Sequence, residues 1–370
     1  MRHIIGAGAK PPGRGEPRPK VQKAATPPPV KVATPAAARP APGALQVQQV
    51  QVDENGAGQR LDNFLIKVLK GAPKTLVYRI IRSGEVRVNK ARAQADTRLA
   101  EGDVVRVPPL RLSEPDSPAE LAAKAAVPAR EFEVLFEDDH LLAVNKPAGV
   151  AVHGGSGVSF GVIEQLRRAR PQAKLLELVH RLDKETSGIL LIAKKRSALT
   201  ALQEQFRQRQ TGKTYTALAL GDWPAALKVI DVALHKYLDA AGERRVRAVA
   251  EDNDDGRRSI SLVKVVERLP GAHPVTLLDV TIKTGRTHQI RVHLQQAGHP
   301  IVGDDKYGDF TLNKAFARGQ AVPGVRFERM FLHARHLSFD HPASGERITL
   351  DAPLPSECAT LLAALRSPPA

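Results

Sequence analysis

The chain has 370 residues, 42% of them hydrophobic, which suffices for two or three domains with true cores and is too apolar for disorder throughout. Its 55 Lys and Arg against 39 Asp and Glu give a formal charge of +16, which directs it toward a polyanion, either nucleic acid or an anionic membrane surface. It contains no run of about 18 apolar residues that could span a bilayer, and its one cysteine, Cys358, excludes an intrachain disulfide framework and a multi-cysteine zinc site.

Residues 1–45 read as a basic, low-complexity tail. Ten of the 28 prolines lie there, and eight basic residues face one acid, Glu16. Such a segment buries too little apolar surface to offset its ordering entropy. It also lacks the apolar core of a secretory signal. Residues 46–112 read as a small α/β module. Leu61, Phe64, Leu65, Val68 and Leu69 follow helical spacing. A second helix is expected from Pro73 to just before Gly84, the glycine serving as C-terminal cap. Leu76, Val77, Ile80 and Ile81 form its apolar face, and Thr75, Tyr78, Arg79 and Arg82 form the opposite one. Short strands follow at Glu85–Asn89 and Val104–Val107, joined by a basic loop with Lys90 and Arg92.

Residues 113–129 read as a linker. From Phe132 the pattern becomes strand-rich. Phe132–Phe136 and Leu141–Asn145 flank a polar turn as a hairpin. A helix is expected over Val158–Arg168, a fully buried strand over Gly188–Ala193, and a helix over 196–209. Further strands are expected near Tyr215–Leu220, Ser259–Val266, Val275–Ile282 and Leu332–Asp340. Strands mostly consecutive in sequence, with few helices between them, imply an α+β domain with a mixed, largely antiparallel sheet. Its limits are set at 130–358, and residues 359–370 read as a C-terminal tail.

Three segments carry candidate chemistry. The first is His180-Arg181-Leu182-Asp183-Lys184-Glu185-Thr186-Ser187-Gly188, a turn leading into the apolar run. An aspartate there sits at the rim of a core, where its carboxylate is partly dry. The second is Gly285-Arg286-Thr287-His288-Gln289-Ile290-Arg291-Val292-His293-Leu294, a short helix with Thr287 as N-cap and Gly298 just past its end. Ile290, Leu294 and Ala297 form its buried stripe. Arg291 lies beside that stripe, and a buried arginine wants a carboxylate. His288 and His293, five residues apart, point away from each other on a helix and make a poor metal pair. The third is Gly212-Lys213-Thr214-Tyr215-Thr216-Ala217-Leu218, an alternating strand.

Residues Arg60–Phe64, Tyr78–Asn89 and Leu99–Val105 resemble an S4 RNA-binding domain, which implies that Lys74, Arg79, Arg82 and Lys90 contact RNA. The stretch His180–Lys194, the strand from Lys213 to Leu218, and the block from Gly285 through Gly308 resemble RNA pseudouridine synthases that modify ribosomal RNA. Asn145–Gly149 and Val152–Gly155 match the large-subunit type. The resemblance spans about residues 59–112 and 130–355. It implies isomerisation of uridine to its C-glycoside with no cofactor and no metal. Asp183 is then the catalytic carboxylate, Arg291 its ion-pair partner, and Tyr215 the ring that stacks on the target base. Ile290 and His288 line the base pocket. Arg181 fills the vacated base stack, and Arg286 and Lys213 hold phosphates. The implied partner is large-subunit ribosomal RNA or an assembling subunit, met by a monomer in the cytoplasm, a reducing compartment that suits one cysteine. An S4 protein that binds RNA without catalysis is the alternative. A hydrolase using His180, Asp183 and His293 on a metal is a weaker one. Membrane binding lacks an apolar face beside the charges. The acidic stretch Glu251–Asp255 is expected to point away from RNA.

Overall fold

The computed structural model describes residues 47–69, 72–110, 127–154, 160–240 and 242–367. The expected tail 1–45, most of the linker 113–129 and Gly155 lie outside them. In the N-terminal module, β1 (Gln48–Gln51) precedes two helices, α1 (Leu61–Val68) and α2 (Lys74–Arg82), then β2 (Arg87–Val88), β3 (Ala91–Arg92) and β4 (Val104–Val107). The strands form an antiparallel sheet in the order β1-β4-β2-β3. Val77, Ile80 and Ile81 of α2 are buried against Leu61, Phe64 and Leu65 of α1. Thr75, Tyr78, Arg79 and Arg82 face solvent. The loop expected at Lys90 is a tight hairpin turn. Asn89 and Lys90 both take positive φ, 48° and 69°, which matches the right-handed twist of the flanking strands. β1 was not legible in the sequence, because its run of glutamines hides the alternation.

The second sheet holds eleven strands in the order β11-β10-β12-β13-β9-β14-β8-β6-β5, with β7 on β8 and β15 on β14. Its strands are β5 (Val134–Glu137), β6 (Leu141–Lys146), β7 (Glu177–Leu178), β8 (Ser187–Ala193), β9 (Gly212–Leu220), β10 (Val229–Leu238), β11 (Arg244–Val249), β12 (Arg257–Leu269), β13 (Val275–Ile282), β14 (Leu332–Asp340) and β15 (Arg347–Asp351). All pairs are antiparallel except β8 with β14. Among the described residues five helices accompany it: α3 (Val162–Ala169), α4 (Arg196–Arg207), α5 (Gln289–Gln296), α6 (Phe310–Ala317) and α7 (Ser356–Arg366). The fold is α+β with a mixed, mostly antiparallel sheet.

The apolar run of β8 is continuous because both its faces are covered. Ile189, Leu191 and Ala193 pack with Leu199 and Leu202 of α4, while Leu190 and Ile192 pack with Val162, Ile163 and Leu166 of α3. α3 begins at Val162, four residues later than expected from Val158. Glu164 accepts the Gly161 amide at 2.8 Å and fixes that start. The expected tail from residue 359 is instead the body of α7. Cys358, Leu361 and Leu362 are buried in the core over β9 and β13, so the chain stays folded to Arg366. The hairpin β10–β11 and helix α6 were also missed.

His333 on β14 is fully buried. Its Nε2 donates to the Ala352 carbonyl at 3.3 Å, so Nδ1 is unprotonated and accepts the Ser187 hydroxyl at 2.9 Å, whose oxygen accepts Arg329 at 2.8 Å. Burial, reinforced by the charges of Arg329 and Arg335 against the Ala352 carbonyl, pushes the imidazole pKa from 6.5 down to about 4. The ring is neutral in both states at pH 7. Between about pH 6.5 and 4 the unfolded chain binds a proton that the native protein refuses, so stability falls with pH across that window, by roughly 3 kcal/mol at this site. Urea midpoints at pH 7.5 and 4.5 are expected to converge in His333→Gln relative to wild type. Equal pH dependence in the two proteins would remove this assignment.

Candidate active site

The turn carrying Asp183 is fixed from two sides. Gly188 sits where β8 meets β14 in parallel, at φ 112°, and a Cβ there would collide with the Ala334 carbonyl. Only glycine lets the two strands approach so closely. Opposite it, Lys146 at the end of β6 is fully buried, and its Nζ donates to the carbonyls of Pro147 (2.8 Å), Val150 (2.8 Å) and Lys184 (3.0 Å). This ammonium ties the loop after β6 to the Asp183 turn. Burial, against the charges of Glu185 and Asp183, brings its pKa down to about 7. A lysine closing an apolar strand was the sequence signal for it, and it went unread as a site residue.

Asp183, Tyr215 and Arg291 line one cavity of about 100 Å³, together with Arg181, Arg286, His288 and Ile290. Tyr215 projects from β9, between Val280 on β13 and Ala334 on β14. Burial and then the Asp183 charge raise the phenol pKa, so the ring is neutral. Arg291, in the first turn of α5, is 4% exposed and holds Nη1 3.5 Å from Asp183 Oδ2. Its tighter partner is a residue the sequence reading missed. Asp304, fully buried, accepts Arg291 Nε at 2.8 Å and Nη2 at 2.6 Å, and Asp305 takes Nη2 at 3.0 Å. Burial opposes the Arg291 charge, but Asp304 first, then Asp183 and Asp305, more than offset it and raise its pKa. The adjacent acids after Gly303 were the available signal.

Thr287 is not the cap of α5. His288 occupies that position with φ 52°, and its side chain turns into the cavity, with Nε2 3.9 Å from Asp183 Oδ2. The loop before it is held by Gln289. This buried amide accepts from Thr284 Oγ1 (2.7 Å) and the Arg286 amide (3.1 Å) and donates to the Ile260 carbonyl (2.9 Å). A glutamine at a buried helix position thus sets where Arg286 stands.

Lys213 does not line this cavity. It borders an adjoining one of about 480 Å³ that shares Arg181 and Tyr215, and its Nζ lies 5.2 Å above the Phe206 ring. A third cavity, of about 410 Å³, is lined by Lys236, Arg257, Arg286 and also Asp255. Of the acidic stretch Glu251–Asp255, Asp255 alone lines that cavity, beside Lys236, Arg257 and Arg286. The loop between β11 and β12 carries Asp255 there. His180 stacks on Phe206 at 4.7 Å and accepts the Leu191 amide, and His293 is buried beside Ser261. Among the described residues no group of three or more His, Cys, Asp or Glu side chains is placed to hold a metal ion.

In the N-terminal module, Lys74, Arg79, Arg82 and Lys90 are all exposed. Arg82 lines a groove of about 790 Å³ with Arg60, Arg92 and Tyr78. Tyr78 is fixed there by donating to Asp62 at 3.1 Å, a carboxylate also gripped by Arg60.

The family model for RNA pseudouridylate synthase matches residues 140–296, and that for the S4 domain matches residues 59–105. The chain is 49% identical over 320 residues to the ribosomal large subunit pseudouridine synthase C of Yersinia pestis, covering 86% of this chain and 96% of that protein. It is 48% identical over 321 residues to the protein of the same name from Escherichia coli K12, with 87% and 97% covered. Among solved structures it is similar to human RNA pseudouridylate synthase domain containing 4, at 28% identity with a TM-score of 0.51, over 66% of this chain and 96% of that one.

Proposed function

The chain belongs to the RNA pseudouridylate synthase family, and we propose that it isomerises uridines of large-subunit ribosomal RNA with Asp183 as the catalytic carboxylate. That it is a pseudouridine synthase with an S4 domain is the premise, and the substrate and the residue roles are the proposal. The observation that carries it is the single cavity in which Asp183, Tyr215 and Arg291 meet. The reaction breaks the N1–C1′ bond, turns the uracil, joins C5 to C1′ and releases the C5 proton. It needs a carboxylate at the sugar, as glycosidic cleavage does. Asp183 supplies it, with the Arg291 guanidinium beside it at 3.5 Å.

A target uridine must leave its stack, which costs a few kcal/mol. Tyr215, neutral and rigid in β9, receives the base against Ile290. Arg181, exposed at the cavity mouth, takes the vacated place by guanidinium stacking. Arg286 and Lys213, on the two flanking cavities, hold the phosphates on either side. Residues 46–112 act as the RNA-binding module through Lys74, Arg79, Arg82 and Lys90. The catalytic domain runs from 130 through α7. The protein works as a monomer in the cytoplasm on ribosomal RNA or an assembling subunit. Among the described residues no helix is long and apolar enough to cross a membrane.

The test is a pseudouridine map of ribosomal RNA from cells with and without this gene, read as carbodiimide adducts that stop reverse transcription. A few stops in large-subunit RNA are expected to vanish and to return with the wild-type gene. A map that is unchanged, with purified protein also inert on naked large-subunit RNA, would sink the substrate assignment.

A further inference from the structure

His288 is held in an unusual conformation. Non-glycine residues rarely adopt positive φ, and those that do cluster at functional sites. At φ 52° its ring spans two partners, with Nε2 3.9 Å from Asp183 Oδ2 and Nδ1 2.8 Å from the Tyr307 hydroxyl. The Tyr307 oxygen also receives the Val246 amide at 3.0 Å. An amide N–H can only donate, and a phenol has one hydrogen. Among the described residues the Tyr307 hydroxyl has no other acceptor, so its hydrogen goes to His288 Nδ1, which is then the unprotonated nitrogen. A neutral imidazole then carries its proton on Nε2, the atom that faces Asp183.

We propose that Tyr307 sets the tautomer of His288 and that His288 is a positioning residue, presenting a neutral N–H donor to the Asp183 carboxylate. This rests on the reading of Asp183 as the catalytic group. The charged groups around the ring are Asp183 from the turn before β8, Arg291 from α5, and Asp304 and Lys306 from the turn before α6. Burial, opposed by Asp183 and reinforced by Arg291 and Lys306, lowers the His288 pKa. Burial likewise keeps Tyr307 a phenol. The chemistry gains from this arrangement. Arg291 already places one full positive charge beside Asp183, and a second would blunt the carboxylate. A neutral donor orients it without doing so. The 3.9 Å separation exceeds a hydrogen bond, so here the N–H faces the carboxylate without bonding to it.

The experiment is a long-range ¹H–¹⁵N spectrum of the full chain labelled at histidine, at pH 7.5, with His288 assigned by its loss in His288→Gln. The Nε2–H tautomer is expected in wild type and a shift away from it in Tyr307→Phe. An Nδ1–H tautomer or an imidazolium in wild type overturns the proposal without need of any variant. Kinetics supply a second readout. Glutamine places an N–H near the position of Nε2, whereas asparagine reaches only that of Nδ1. We expect His288→Gln to keep kcat within about three-fold, and His288→Asn and Tyr307→Phe to lower it by about ten- to a hundred-fold at unchanged KM for RNA. The acid limb of kcat in Tyr307→Phe is expected at higher pH, because Nδ1 is then free to take a proton. Equal losses in Gln and Asn, or effects confined to KM, overturn the proposal. Activity in Asp183→Asn would instead sink the catalytic reading and leave the tautomer result standing.

Discussion

Asp183→Asn is expected to bind RNA as wild type does and to release no tritium from RNA labelled at uridine C5. The side chain keeps its size and loses only its charge. It is half-buried, and its contacts to Arg291 and His288, at 3.5 and 3.9 Å, are too long to be structural hydrogen bonds, so the fold loses little. The cavity wall, Tyr215 and the cations at the mouth all remain, so affinity persists. Asp183 is the one acid among the residues lining that cavity, and under the proposed reading its carboxylate meets positive charge at C1′ or bonds to the nucleoside, which an amide cannot do. Removing such a group costs on the order of 10⁴-fold or more in kcat. Single-turnover tritium release reads the C5 proton directly, and filter binding reads affinity. Turnover within about ten-fold of wild type would require another carboxylate to act.

The second large effect concerns Arg291 and Asp304. Both are buried, at 4% and 0% exposure, and two hydrogen bonds of 2.6 and 2.8 Å join them. Removing Arg291 strands the Asp304 charge in the core, which typically costs about 3–5 kcal/mol, whereas removing the Asp304 charge leaves Arg291 with Asp305 and Asp183. We expect Arg291→Met to destabilise by about that much and Asp304→Asn by less, and the double variant to lose less than the sum. Asparagine is chosen at 304 because its carbonyl oxygen can still accept the Lys306 and Tyr307 amides, which Asp304 holds at 2.9 and 3.0 Å. The double variant is expected to be inactive even where its fold recovers, since Asp183 has lost its cation. Urea unfolding of the four proteins gives the coupling energy, and tritium release gives the activity. Additive destabilisation would show that Asp304 is not the anchor of Arg291. Recovered activity in the double variant would show that Asp183 works without the guanidinium.

Much of this protein was legible before its structure. The apolar run after Asp183 is the buried strand β8, and the apolar face Val77, Ile80 and Ile81 is the buried side of α2. Periodicity found Val275–Ile282, Val104–Val107 and Leu332–Asp340 to the residue. Strand β10 escaped because its inward face, Ile230, Val232 and Leu234, is interleaved with exposed Val229 and buried Ala233 and ends in exposed Leu238, which masks the alternation. Helix α7 escaped because a short segment near a chain end reads as a tail until something is known to pack on it.

The sequence by itself determined which short segments are apolar, where they turn, and which residue types the chemistry requires. Those properties are local, since hydrophobic spacing and turn chemistry act over a few residues. Only the tertiary structure decided who meets whom. Arg291 wanted a carboxylate, and the fold supplied Asp304 in two short bonds and Asp183 at longer range. Lys146 became a tie across 38 residues of chain, and His288 became a bridge between Tyr307 and Asp183. Such partners are chosen when distant strands close on one another, because a buried charge or donor takes whichever partner the packing brings within reach.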